Sequence, residues 1–414
     1  MGSPPAAAGA SGAQFSGPGQ STRSLPLPRS GHARLDTFVR NDGIDLVLHA
    51  QGSITRHRVA VPLVELHRSI HTLRSALSRP GGDALPAARR LHAWLIAPLQ
   101  RGLRGVQRLH IDADGALRLV PFAALHDGHR YLAERLELVL AIGASPPPAP
   151  VPRLAATTAA PPGLLAFGRT LPDASHAALP GVHAELAALS RLQARPVTAL
   201  QDAAFTRDAL HAGLARRPAV VHLASHFVLD AAGEDSSYLL LGDGTRLPLS
   251  QVGSLPWQGV RLAVLSACDS GLPLPHEAEG RPMPTAPGGA TGSAAVLADV
   301  PAAPMQLSAG RGSGGVARAP SDPMHTATGR QLAGFASALQ RAGVDDVLAT
   351  LWPISDGATA QWMASFYAPW NVRGRSGLPH PGWLARAQRD WLQRHHGTPL
   401  AHPHYWAAFT WMGR

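Results

Sequence analysis

The sequence predicts an α/β fold: a mostly parallel β-sheet with helices on both faces, preceded by a smaller α/β N-terminal subdomain. Three observations carry that expectation. Strand-length apolar runs alternate with segments whose apolar residues fall three and four apart, the pattern of a covered parallel sheet. The runs "LLAFG" (164–168), "AVVHLA" (219–224), "RLAVLSA" (261–267) and "DVLATLW" (346–352) carry few polar residues, as strands buried on both faces do. A Pro/Ala stretch, "ASPPPAPVPRLAATTAAPPG" (144–163), divides an earlier α/β segment from these runs.

Taken in order, residues 1–34 are rich in Gly, Ala, Ser and Pro and are expected to be disordered. Pattern begins at Leu35, and "IDLVLHAQGSITRHRVAVP" predicts two strands around a turn at Gln51–Gly52. "PLVELHRSIHTLRSAL" and "ALPAARRLHAWLIAPLQRGL" carry helical spacing, and "RLHIDADGALRLVPFAAL" (108–125) predicts a hairpin turning at Ala113–Gly115. Residues 35–150 are thus one α/β part, 151–162 a linker, and 163–414 the main core. Within that core, 181–194 and "TRDALHAGLARR" predict helices, "PVTAL" a strand, and "YLLLGDGTRLPL" (238–249) a hairpin turning at Gly242–Gly244. Residues 273–328 have no period and are crowded with Gly, Ala and Pro, which predicts a disordered insertion. No internal repeat is present.

Composition narrows the function. One cysteine in 414 residues excludes an internal disulfide and a multi-cysteine metal site, and it points to a reducing, cytoplasmic setting. The N-terminus lacks the charged start and apolar run of a secretory signal, and Ala6 stands where myristoylation favours a hydroxyl. No apolar stretch approaches the roughly 18–20 residues of a membrane span. The formal charge of +10 invites a nucleic-acid reading. However, the chain contains no lysine, and its arginines are scattered as singles and pairs without a basic block. Neither nucleic acid nor membrane is the expected partner.

The lone cysteine, Cys268, stands just past an apolar strand in "VLSACDSG". A thiol becomes a strong nucleophile only as a thiolate, so it needs a base or a positive field beside it. "VVHLASHFVLD" offers two histidines. If 219–224 and 261–267 are neighbouring parallel strands, His226 and Cys268 emerge together at the carboxyl rim, where open α/β sheets place their sites. His222 falls inside its strand and is expected to point into packing. By spacing alone, a lone Cys after an apolar strand is most often a small core residue.

These motifs resemble the CHAT family, caspase-like cysteine peptidase domains related to separases and caspases. "HLASHF…LD" and "LAVLSACDSG" carry the resemblance at the dyad. "LHAWLIAPLQRGLRGVQRLHIDADGALRLVPFAAL", "LPGVHAELAAL", "LQRAGVDDVLATLWPISDGATAQWMASFY" and "HPHYWAAFTWMG" extend it, in order, over roughly 35–272 and 329–414. The resemblance implies a caspase-like sheet, His226 as general base, Cys268 as nucleophile and a thioacyl intermediate resolved by water. It implies an oxyanion site of backbone N–H groups from Phe227 and Cys268, such donors being worth about 2.7–4 kcal/mol each. It also implies no cofactor, a protein substrate, and a regulatory partner protein carrying repeats, since this chain has none. Phe227 departs from the family's usual glycine, which leaves an inactive CHAT-fold interaction module as the alternative. Glycine there would leave room for a substrate backbone and reach positive φ cheaply.

Three further residues stand near this pattern. Asp230 follows the histidine loop, as an orienting acid or a solvated turn residue. Trp352 and Asp356 in "LWPISD" are expected either to shape a substrate pocket or to be structural, Trp352 packing the sheet end and Asp356 capping the helix from Gly357. The histidines at 395, 396, 402 and 404 have no carboxylate or cysteine at ligand spacing, so no metal is expected there.

Overall fold

The computed structural model describes residues 30–141, 163–192, 196–228, 235–266, 335–352, 354–371 and 377–413. Residues 1–29 of the expected disordered N-terminus (1–34), the expected linker (151–162) and the expected insertion (273–328) lie outside these residues, as do Cys268 and Asp230, whereas 30–34 are described and enter a strand.

The N-terminal strands are β1 (His32–Arg40), β2 (Gly43–Ala50), β3 (Ser53–Ala60), β4 (Arg108–Asp112) and β5 (Glu137–Ala141). Ordered strand therefore starts three residues before Leu35. The β2–β3 turn forms at Gln51 (φ 51°) and Gly52 (φ 75°), both left-handed as a two-residue hairpin loop demands. The core strands are β6 (Leu164–Gly168), β7 (Val197–Gln201), β8 (Val220–Ala224), β9 (Phe227–Val228), β10 (Tyr238–Leu240), β11 (Arg246–Pro248), β12 (Leu262–Ser266), β13 (Asp346–Thr350) and β14 (Phe409–Gly413).

Eleven of these strands form one sheet in the order β3-β2-β1-β4-β5-β14-β13-β12-β8-β6-β7. The α/β part before the linker and the core after it therefore share a sheet. The last strand, β14, joins them: it runs antiparallel to β13 and parallel to β5, with Met412 opposite both Val347 and Leu140. The pairs β13–β12, β12–β8, β8–β6 and β6–β7 are all parallel, as the buried apolar runs predict. β8 and β12 are buried at every position. Strands β9, β10 and β11 make a separate three-stranded sheet, and β10–β11 is the predicted hairpin.

The 108–125 segment is not a hairpin. β4 pairs in parallel with β1 and β5, and residues Gly115–Leu119 and Phe122–Ala124 form 3-10 turns instead of a returning strand. The apolar alternation is real, since Leu117 and Leu119 are buried. It comes from a tight helical turn entered through Gly115 at φ 50°.

Helices cover the sheet: α1 (Leu63–Leu77), α2 (Leu85–Leu95), α3 (Leu132–Arg135), α4 (Pro180–Ser190), α5 (Arg207–Ala215), α6 (Leu249–Val252), α7 (335–341), α8 (Asp356–Tyr367) and α9 (Pro381–Arg394). Each longer helix turns one apolar stripe inward; on α1 it is Leu66, Ile70, Leu73 and Leu77. Thr206 starts α5 by accepting the Ala209 N–H on its hydroxyl. Arg74 shares the inward face of α1 and is buried without a carboxylate partner. Its guanidinium donates to the Leu119 carbonyl at 3.3 Å and the Leu351 carbonyl at 3.2 Å, tying the N-terminal helices to the end of β13. Burial lowers its pKa to about 10.

His402 and His404 serve the same junction. His402 Nε2 bonds the Gly82 carbonyl at 2.7 Å, and His404 Nδ1 bonds the Leu77 carbonyl at 2.8 Å. Among the described residues, no group of three or more His, Cys, Asp or Glu side chains is placed to hold a metal ion. No described helix is long and apolar enough to cross a membrane.

Candidate functional site

The carboxyl rim of the central strands is built by the parallel pair β8–β12. Their register sets Val220 against Leu262 and Ala224 against Ser266. His226 follows Ala224 by two residues, and Cys268 follows Ser266 by two in the sequence. Past Ala224 the chain is pinned twice: Ser225 Oγ donates to the Leu240 carbonyl at 2.5 Å, and the Leu240 N–H donates to the His226 carbonyl at 2.9 Å.

The His226 side chain is 8% exposed. Its Nε2 donates to the Ala177 carbonyl at 3.0 Å, which leaves the lone pair of the neutral ring on Nδ1. Burial lowers its pKa; the Ala177 carbonyl opposes that, and the neighbouring His176 and Arg169 add to it. A neutral imidazole with a free ring lone pair is what a general base needs.

The second layer of the site was not visible in the sequence. Ala177 belongs to the loop between β6 and α4. His176, one residue earlier, lies against His226 with ring centroids 5.0 Å apart. His176 Nδ1 is 2.8 Å from Asp173 Oδ1, and its Nε2 is 3.1 Å from the Tyr238 hydroxyl on β10. Asp173 also accepts the Ser175 and His176 N–H groups, and those bonds with His176 hold its pKa down to about 2. Arg169 is buried beneath; it donates to the Leu241 and Gly242 carbonyls and pairs with Asp173 at 3.4 Å. The spacing of an acid three residues before a histidine in "PDASH" is the one local signal of this turn.

His222 behaves as its position in β8 predicts. It is fully buried, with Nδ1 3.2 Å from the Tyr367 hydroxyl on α8 and Nε2 2.9 Å from Glu185 Oε1 on α4. The latter pair is close but misaligned, so neither atom has a hydrogen-bond partner. This buried triad locks two helices onto the sheet and stays away from the rim.

The Phe227 side chain is 1% exposed and packs edge-on against Phe335 at 5.2 Å and 89°. Its backbone is extended strand, and it is absent from the positive-φ residues. Phe227 pairs with Leu239 next to the hydrogen-bonded His226–Leu240 pair. In an antiparallel ladder that alternation turns the Phe227 N–H away from β10. The residue that replaces glycine thus serves the core while its N–H faces outward from the ladder.

Trp352 is buried, and its Nε1 donates to the His404 carbonyl at 2.9 Å, so it packs the sheet end. Helix α8 starts at Asp356 itself, one residue before the expected Gly357, with Ser355 at its N-cap.

The fold is a caspase-like α/β one: a central, mostly parallel sheet flanked by helices, with an N-terminal β/α subdomain and a buried histidine at the carboxyl rim. The chain belongs to the CHAT domain family, whose model matches residues 85–414. Residues 30–84, with β1, β2, β3 and α1, lie before that match. Among solved structures, the chain is similar to the Arg specific cysteine proteinase gingipain R, with TM-score 0.42 and 8% identity, covering 84% of this chain and 74% of that one. It is also similar to the complex of Porphyromonas gingivalis RgpB pro- and mature domains, with TM-score 0.41, 8% identity and coverage of 84% and 75%. A search of curated proteins returns no match.

Proposed function

We propose that this CHAT domain is a cysteine-type endopeptidase acting on a protein partner, with His226 as general base and Cys268 as nucleophile. The observation that carries the reading is the His226 ring: buried at the β8 rim, with Nε2 committed to the Ala177 carbonyl and Nδ1 left as the basic nitrogen. The next strand in the sheet, β12, runs parallel to β8 in matched register and leads in sequence to Cys268.

In this reading Nδ1 takes the Cys268 thiol proton and the thiolate attacks the scissile carbonyl. The N–H groups of Phe227 and Cys268 receive the oxyanion. The imidazolium then returns its proton to the leaving amine, and water hydrolyses the thioester. No cofactor enters these steps. A partner protein carrying repeats would regulate the peptidase.

A second reading needs less beyond the described residues: a catalytically silent CHAT-fold module that binds proteins. It is favoured because His226's ring is bonded to a backbone carbonyl and covered by His176, while the described residues alone do not complete a dyad. The test is alkylation of Cys268 by iodoacetamide or a peptidyl chloromethyl ketone in the folded chain at neutral pH. A poised thiolate reacts rapidly and saturably with the ketone. A thiol that reacts only after unfolding supports the silent module.

A further inference from the structure

His176 makes a side-chain contact at each ring nitrogen, and its backbone adjoins the carbonyl that His226 uses. Asp173 holds Nδ1 at 2.8 Å, Tyr238 holds Nε2 at 3.1 Å, and the Asp173 N–H closes the turn on the His176 carbonyl at 3.0 Å. We propose that the Asp173–His176–Tyr238 chain is a positioning device for His226. By clamping the His176 ring it fixes the Ala177 carbonyl, and that carbonyl selects the His226 tautomer with its proton on Nε2 and its lone pair on Nδ1. The inference deepens the reading of His226 as general base and rests on that reading for its purpose.

The physical argument is one of tethering. Ala177 sits in the loop between β6 and α4, and a loop carbonyl orients an imidazole only if the loop is itself held. The clamp joins that loop to β10, the strand whose Leu240 N–H holds the His226 carbonyl. Both ends of the His226 residue are therefore referenced to one strand. The His176 ring also forms a wall 5.0 Å from the His226 ring, keeping water from one of its faces. Among the described residues, the charged and titratable groups facing His226 are His176, Arg169 and Asp173. A proton on His176 or the fixed charge of Arg169 disfavours a proton on His226, whereas Asp173 favours one. Burial does most to disfavour a proton on His226, and His176 and Arg169 add to it against the opposing Asp173.

The test is nitrogen-15 NMR of the full chain labelled at histidine, with the His226 signals assigned by difference from His226→Gln. In the unaltered chain the two ring nitrogens should show one protonated Nε2 and one unprotonated Nδ1 well above the titration midpoint. In His176→Ala the two shifts should converge toward a tautomer mixture, and the midpoint should move up as burial and the neighbouring ring are lost. Tyr238→Phe keeps the ring of Tyr238 and removes one tether, so it should shift the tautomer in the same direction by less. An unchanged tautomer in both variants overturns the proposal. So does a loss of thermal stability in His176→Ala with the His226 nitrogens unmoved, which would make His176 a packing residue. None of these readings needs turnover. If His226→Ala left Cys268 alkylation unaltered, the peptidase reading would fail while the tautomer result stood.

Discussion

Replacing Phe227 by glycine should damage the protein. Phe227 is 1% exposed and meets Phe335 edge-on. Truncating a buried Phe to Ala costs about 3–5 kcal/mol through lost transfer energy and an uncollapsed cavity. Glycine in a strand adds about 0.5–1 kcal/mol of backbone entropy. Phe227→Gly should therefore cost about 3.5–6 kcal/mol, a large share of the ~5–15 kcal/mol that holds a domain folded. Phe227→Leu, which keeps most of the volume, should cost less than about 1.5 kcal/mol. Urea unfolding followed by tryptophan fluorescence measures both. A Phe227→Gly chain within about 1 kcal/mol of the parent, with faster alkylation of Cys268, would mean that the ring is not a core residue but restricts access to the thiol.

Other perturbations follow from buried polar groups. Arg74→Met strands the Leu119 and Leu351 carbonyls; at about 1–3 kcal/mol per orphaned group, less what removing a desolvated cation returns, the loss should be about 2–4 kcal/mol by urea unfolding, with Arg74→Lys intermediate. Burial lowers the pKa of His92, His126, His226 and His404 and takes His110 to about 4, with Arg108 adding to the last. The unfolded chain then binds more protons, so the stability these groups contribute is present above about pH 6.5 and should fall as pH drops toward 4. Asp346 has the opposite sign: burial raises its pKa to about 6, so its ionisation costs stability as pH rises from about 4 through 6. Asp346→Asn should stabilise the chain at pH 7.5 more than at pH 4, and equal effects at both would contradict that assignment.

The parts of this fold legible in the sequence are those whose burial is local and complete. β8 and β12 are buried at every position, so their apolar runs needed no partner to be recognised. The pairing of their ends followed from parallel topology alone. The 108–125 segment misled because apolar alternation at Leu117 and Leu119 arises equally from a 3-10 turn. The continuity of the sheet was hidden because Met412 meets Leu140 across most of the chain, and local pattern does not encode that pairing. At the site, His226 was found by its offset from a strand end. Its carbonyl partner was not, since any residue could supply the oxygen of Ala177. The burial of Phe227 was not legible, because a residue's identity does not say which way a two-residue strand turns its side chain.

The second-order rate of iodoacetamide alkylation of Cys268 in the folded chain between pH 5 and 9, compared with His226→Ala and His222→Gln, shows whether His226 activates Cys268. With a neutral His226 taking the thiol proton, the rate near pH 7 should exceed that of an ordinary thiol of pKa about 8.5, and in His226→Ala it should fall to follow one. His222→Gln should leave the profile in place, because His222 is sequestered with Glu185 and Tyr367. A profile unchanged by His226→Ala, or one that moves only with His222→Gln, would mean that His226 is not the base.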